Sequence, residues 1–343
     1  MRTLGVLLGL LSITLLLFVL ADCGKTSGTL TTTPPPPQWT VTSSSTGCPS
    51  TGLTGTACYA LDVTCENLPT YTVYLKTIAP AGAPIAAATL IQGGTSIDLY
   101  EDFANGTTTV QNLVNANFLT VQISFAHPFT TTESGWQTNA GGLGVRAAAC
   151  RYAAVTQWIK TNLAAQVPLC ATGSSAGSAQ IAEGLAHYKL ASSLAFAELT
   201  SGPPFTRVDY ACIPSLQPTT MPEYCSGAND GQAVNVKDAT NFIDPAYPGA
   251  WCSEGVQSND TSHETQFLGD SVTSPDAVLN YPIPVWFLYG GLDQSPAINQ
   301  GELYRGLITL PTNRACVADA PHNIPDVPDG ALQIAADLIA QCK

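Results

Sequence analysis

The stretch Val167-Pro-Leu-Cys-Ala-Thr-Gly-Ser-Ser-Ala-Gly177 constrains the fold of this chain more than any other. A short apolar run stops at Gly173-Ser174-Ser175-Ala176-Gly177. A helical pattern begins at once, with Ala179, Ala182, Leu185 and Ala186 at helical spacing. The spacing predicts a strand, a sharp turn and a helix over 176–190 whose small side chains let it lie close on a sheet. The five turn residues match G-x-S-x-G. Flanking glycines let backbone pass close on both sides of a strained turn and present the central hydroxyl at the sheet edge, which makes Ser175 a candidate nucleophile. In a chain with 29 Gly the pattern also arises by accident, and any α/β crossover can use a small-residue helix. Neighbouring elements and partner residues therefore have to carry the reading.

The neighbours keep the same rhythm. Strand patterns fall at 71–78, 85–92, 118–125, 168–172, 194–199, 285–289 and 315–318. Helical patterns at 143–163, 297–307 and 331–342 separate several of them. Alternation of this kind predicts an α/β fold with a mostly parallel sheet covered by helices on both faces. Residues 202–281 break the rhythm with dense Pro, Asn, Asp, Ser and Gly and three cysteines, and they are expected to form a cap inserted between the core parts 47–201 and 282–343. If all three cysteines pair, at least one must bond to the main domain.

The N-terminus has a different character. Arg2 followed by an uncharged apolar run to Leu20 reads as a signal peptide over residues 1–22, and residues 23–46, rich in Thr, Ser and Pro, read as an extended linker. Leu20-Ala21-Asp22-Cys23 resembles the lipobox of bacterial lipoproteins, which makes Cys23 a candidate for lipidation and for an N-terminal lipid anchor. Asp22 stands where that family has Gly, Ala or Ser, so plain cleavage after Ala21 remains the alternative. Eleven cysteines cannot all pair, whereas removing Cys23 leaves an even number, which favours acylation. No C-x-x-C occurs and there are four His, so no zinc site is expected. Charged residues make up only 11% of the chain and the net charge is -13. Sparse charge with abundant Thr, Ser and Pro points to a secreted or surface-anchored protein, and the scattered cations exclude nucleic acid as an expected partner.

A serine hydroxyl needs a base to take its proton and a third group to orient that base. Residues 283–293 form a buried-strand pattern ending in Gly290-Gly291, with Asp293 just beyond it. Further on, a last strand is followed by Pro321-His322-Asn323, and His322 is the sole His after Asp293. Serine, then acid after the penultimate strand, then His after the last strand resembles the α/β-hydrolase superfamily. That resemblance covers the chain from residue 71 onward apart from the insertion. It implies Ser175 as nucleophile, His322 as general base and acid, and Asp293 as the group that orients the imidazole. It also implies an oxyanion hole from the Ala176 amide and a glycine loop. Gln92-Gly93-Gly94-Thr95 is similar to the H-G-G-G loop of lipases and esterases, which nominates Gly93 and Gly94; a simple tight turn is the alternative.

The expected activity is that of an extracytoplasmic serine hydrolase, a carboxylesterase or lipase without metal or cofactor, acting on small-molecule or polymeric esters. A peptidase or acyltransferase on the same fold, and a non-catalytic binding protein, are the alternatives. His127 after a strand is read as structural, His187 within the helix after the elbow as a surface or core residue, and His263 in the cap precedes Asp293, out of the expected order. Trp136, residues 200–205 and Trp251 come from loops expected near a pocket rim. Asn105 and Asn259 match glycosylation acceptors, which matter in a eukaryotic host.

Overall fold

A computed structural model describes residues 39–126, 135–138, 140–218, 224–225, 240–309 and 312–343. The expected signal peptide, Cys23, the start of the linker and His127 lie outside the described residues.

Chain order begins with β1 (Trp39–Thr46), β2 (Ala57–Cys65), β3 (Tyr71–Ile78) and β4 (Ala86–Ile91), then α1 (Gly106–Asn115), β5 (Phe118–Ser124) and α2 (Val145–Asn162). β6 (Leu169–Ser174), α3 (Ala176–His187) and β7 (Phe196–Thr200) follow. An insertion carries α4 (Val208–Cys212), α5 (Thr240–Ile243), α6 (Trp251–Ser258) and α7 (Glu264–Gly269). The chain closes with β8 (Val285–Gly290), α8 (Ala297–Leu307), β9 (Thr312–Val317) and α9 (Pro328–Gln341). Among the described residues the strands make one sheet in the order β1-β2-β3-β5-β4-β6-β7-β8-β9. β1, β2 and β3 pair antiparallel, as do β3 and β5, and every pairing from β5 through β9 is parallel.

The alternation along β4 shows how the sheet divides the core. Ala86, Ala88 and Leu90 join the apolar cluster shared with α1 and α9, whereas Ala87 and Ile91 join the cluster shared with α2 and α3. Neighbouring side chains point to opposite faces, and both faces are covered, so a central strand reads as a continuous apolar run.

Two departures from expectation lie at the antiparallel edge. Residues 39–46, read as the end of a linker that cannot pack, instead form β1, paired along its whole length with β2. The strand is Ser- and Thr-rich and mostly exposed, but Trp39 and Val41 on alternate positions pack against the core. Backbone pairing holds it where apolar content alone would not, and a polar edge strand of this kind also discourages edge-to-edge association. β2 itself has the alternating burial of a strand with one dry face, a pattern broken at Tyr59 and Ala60.

All ten cysteines among the described residues are paired: Cys48 with Cys58, Cys65 with Cys150, Cys170 with Cys342, Cys212 with Cys252, and Cys225 with Cys316. Cys170–Cys342 ties β6, the strand before Ser175, to the end of α9. A loop of that length is worth about 4–5 kcal/mol in the chain-entropy account. Cys225–Cys316 supplies the bond from the insertion to the main sheet that the odd cysteine number required. Among the described residues no helix is long and apolar enough to cross a membrane.

Candidate active site

β6 ends at Ser174 and α3 starts at Ala176, so Ser175 forms the turn between them, with φ 51° and ψ -118°. A side chain in that region is strained and persists only when its surroundings over-determine it. Here the Ser175 amide donates to the Thr200 carbonyl at the end of β7 at 2.8 Å, and its carbonyl accepts from the Ala179 amide at 3.0 Å and from the Ser178 hydroxyl. The flanking glycines are needed for close approach. A Cβ on Gly173 would lie 2.7 Å from the Gly177 carbonyl carbon, and one on Gly177 would lie 2.4 Å from the Gln92 oxygen.

The glycine loop after β4 runs directly against this turn. A Cβ on Gly93 would come within 3.0 Å of the Ser175 Cβ, and Gly94 has φ +57°. The Gly94 carbonyl accepts from Trp136 Nε1 at 3.2 Å and Gln137 Nε2 at 3.1 Å. Ser96 Oγ donates to the Gln92 carbonyl at 2.8 Å and accepts from Gln180 Nε2 of α3 at 2.9 Å, which ties the loop to the helix that follows Ser175. Beneath, the buried Arg151 donates to the carbonyls of Trp136 at 3.1 Å and Thr138 at 2.8 Å. Burial pushes its guanidinium down to about 10, so it stays charged at neutral pH.

The acid and the imidazole come from the next two strand ends. Gly290 and Gly291 follow β8 because the loop carrying His322 crosses over them. A Cβ on Gly290 would lie 2.3 Å from the Pro321 carbonyl, and one on Gly291 would lie 2.4 Å from the Ala318 carbonyl. The crossing is fixed by Gly291 donating to Val317 at 2.8 Å and Leu292 donating to Ala320 at 2.9 Å. His322 Nδ1 then lies 2.9 Å from Asp293 Oδ2, with the Asp293 side chain fully buried and that of His322 35% exposed. Ser201, just after β7, donates its hydroxyl to the His322 carbonyl. The Ser175, Asp293 and His322 loops are thus stitched together at the carboxyl ends of β6, β7, β8 and β9.

Ser175 and His322 line one cavity of about 330 Å³. Gly94 and Ala176 form part of its wall, Pro204, Phe205 and Phe242 come from the insertion, and Ser295, Pro296 and Ala297 come from the turn after Asp293. No hydrogen bond joins Ser175 to His322 among the described residues. Among the described residues no cluster of three or more His, Cys, Asp or Glu side chains could hold a metal ion.

No protein-family model matches this sequence, and no curated protein matches it. Among solved structures, brefeldin A esterase, described as a bacterial homologue of human hormone-sensitive lipase, is similar with a TM-score of 0.53 and 14% identity, over 88% of this chain and 76% of that one. The chain has an α/β-hydrolase fold. Est1E from Butyrivibrio proteoclasticus aligns over 84% of this chain and 99% of its own, with a TM-score of 0.49 and 11% identity. A putative hydrolase from Agrobacterium vitis S4 aligns over 89% and 100%, with a TM-score of 0.48 and 11% identity.

Within this α/β-hydrolase fold, the residues nominated from sequence occupy distinct places. Ser175, Ala176, Gly94 and His322 line the cavity and Asp293 lies behind His322, whereas Gly93 packs under Ser175. Trp136 is fully buried, with its ring nitrogen donating to the Gly94 carbonyl and its ring against Phe205. Trp251 stacks on His263 at 3.8 Å within the insertion, and His187 lies in the core. Phe242 and Ser295 were not singled out from sequence. The string Asp293-Gln-Ser-Pro-Ala297 held a signal for Ser295, because Asp-x-Ser-Pro is turn chemistry placed directly after the acid.

Proposed function

We propose that this chain is an extracytoplasmic serine hydrolase that cleaves carboxylic esters. The observation that supports it most is that Ser175 and His322 face one cavity while the far nitrogen of the imidazole is held by the buried Asp293. In this reading His322 Nε2 takes the Ser175 hydroxyl proton as Oγ attacks the ester carbonyl. The amides of Ala176 and of Gly94, or of Gly93, receive the developing oxyanion. The protonated imidazole gives its proton to the departing alkoxide as the C–O bond breaks, which leaves an acyl-serine and releases the alcohol. His322 then activates a water that releases the acid and restores the serine. Asp293 holds the tautomer with the proton at Nδ1 and stabilises the cation that forms.

The cavity wall supports a neutral substrate. Among the described residues His322 is the one ionisable side chain in that wall, and Pro204, Phe205, Phe242, Pro296 and Ala297 make it largely apolar. The insertion over 202–281 acts as a cap that shapes this wall and is pinned by Cys225–Cys316. Residues 1–22 serve as the signal peptide, and Cys23 is the candidate lipid anchor. Five disulfides fit an oxidising compartment.

The test is labelling of the folded protein with a fluorophosphonate probe, with the adduct located by peptide mass spectrometry. The expected adduct is on Ser175 and disappears in His322→Ala. Ser175→Ala is expected to lower ester turnover by about three to six decades with the fold intact. Unchanged turnover in Ser175→Ala would overturn the reading, and matched ester and amide substrates decide which bond is preferred.

A further inference from the structure

We infer that Ser295 is a positioning residue for His322, supplying a second oxygen to the same imidazole nitrogen that Asp293 holds. Ser295 Oγ lies 2.9 Å from His322 Nδ1, the same distance as Asp293 Oδ2. The inference rests on the reading of His322 as the base.

The local chain explains how two oxygens reach one nitrogen. Asp293 Oδ1 accepts from the Ser295 amide at 2.8 Å, and Ser295 Oγ accepts from the Ala297 amide at 3.2 Å. These are two successive side-chain-to-backbone turns, each spanning two residues, and they lock the acid and the hydroxyl into one rigid unit at the start of α8. Each side chain has capacity left over, Asp293 through Oδ2 and Ser295 through its second lone pair, and both meet the Nδ1 proton.

A second acceptor has a geometric consequence. One hydrogen bond alone lets the imidazole swing about the Nδ1 to Oδ2 line, and a side chain 35% exposed is only partly held by packing. Two acceptors on the same N–H fix the direction of that bond, and with the ring tethered at its Cβ this sets the direction in which Nε2 points. A displacement of about 1 Å there is enough to lower the rate about 100-fold. Being neutral, the hydroxyl adds this restraint without a second buried charge beside Asp293.

A purely structural role, in which Ser295 only starts α8, predicts something different. The experiment compares Ser295→Ala, Ser295→Cys and Ser295→Thr with the unaltered chain, using steady-state kinetics on a neutral aryl ester and NMR of protein labelled with [15N]histidine, which is tractable because there are four His. Ser295→Ala and the near-isosteric Ser295→Cys, a weak acceptor, are expected to lower kcat about 10–100-fold with KM changed less than about 2-fold, and to move the His322 Nδ1–H resonance. Ser295→Thr, which keeps the hydroxyl, is expected to restore both. An unmoved resonance, or loss carried by KM alone, would overturn the proposal. If the unaltered chain takes no fluorophosphonate label, the hydrolase reading fails, and the resonance still reports whether Ser295 holds the ring.

Discussion

His322 with Asp293 and His187 with Glu183 are both histidine–carboxylate pairs, at 2.9 Å and 3.3 Å, but they sit in opposite surroundings. The first joins two loops, has a carboxylate fixed by the Ser295 amide, and leaves the imidazole 35% exposed at a cavity. The second lies one turn apart on α3, with side chains 1% and 0% exposed. Neither Glu183 oxygen has a hydrogen-bond partner among the described residues. Burial, then the neighbouring Asp270, push the Glu183 carboxyl well above its usual range. Burial, then Arg146, push His187 down to about 4. Burial thus disfavours the charged form of both groups, so the 3.3 Å distance alone does not make them an ion pair. Arg146, the nearby cation, is engaged with both oxygens of Asp276 at 3.0 and 2.8 Å instead. Proximity of acid and imidazole follows from helical spacing alone; a pair that can move protons needs a carboxylate kept charged by donors and an imidazole that substrate can reach.

Three substitutions test this contrast. Asp293→Asn is expected to lower kcat by about three to four decades, because the amide no longer enforces the Nδ1–H tautomer, while the thermal midpoint stays within a few degrees. A drop below tenfold in steady-state kinetics would place the orienting role elsewhere, with Ser295 the first candidate.

His187→Gln should leave activity unchanged and alter the acid dependence of stability. The folded-state proton affinity of His187 is lowered, so its contribution is present above the unfolded pKa of about 6.5 and is lost as pH falls toward about 4. Asp270, raised to about 6 mainly by burial, acts in the reverse sense: its contribution is present below the unfolded value of about 3.9 and is lost as pH rises through 6. The two slopes oppose each other in the unaltered protein. Removing His187 leaves the carboxyl slope alone, so urea midpoints should show the variant gaining about 1–3 kcal/mol relative to the unaltered chain between pH 7 and pH 4.5. Parallel pH profiles would mean that His187 is charged in the folded state.

Glu183→Gln should have the smallest effect, under about 1 kcal/mol at pH 7 with full activity, since burial disfavours a charged carboxyl there and the amide keeps its shape. A loss of about 3–5 kcal/mol in a denaturation titration would instead reveal a charged buried pair.

Ser175 and Asp293 were readable because each sits at the end of an apolar run and is marked by glycine, and His322 because it is the sole His after Asp293. Gly173 and Gly177 around Ser175, and Gly290-Gly291 before Asp293, are places where another backbone passes too close for a Cβ. β1 was not readable, because Thr and Ser residues that look like linker become a strand only when β2 offers them a pairing edge. α1 was missed for a related reason: it buries only Gly106, Thr109, Val110 and Leu113, a thin stripe in a polar segment that depends on α9 for cover. Ser295 escaped notice because its partner, His322, is 27 residues away.

The sequence alone therefore determined the mostly parallel α/β core and the order of serine, acid and histidine, since apolar periodicity and obligatory glycines are local properties. Tertiary structure decided which cysteines pair, which of the histidine–carboxylate pairs faces a cavity, and that Phe242 and Ser295 share that cavity with Ser175. These depend on how distant segments are brought together, and on the burial that sets the charge of each group once they meet.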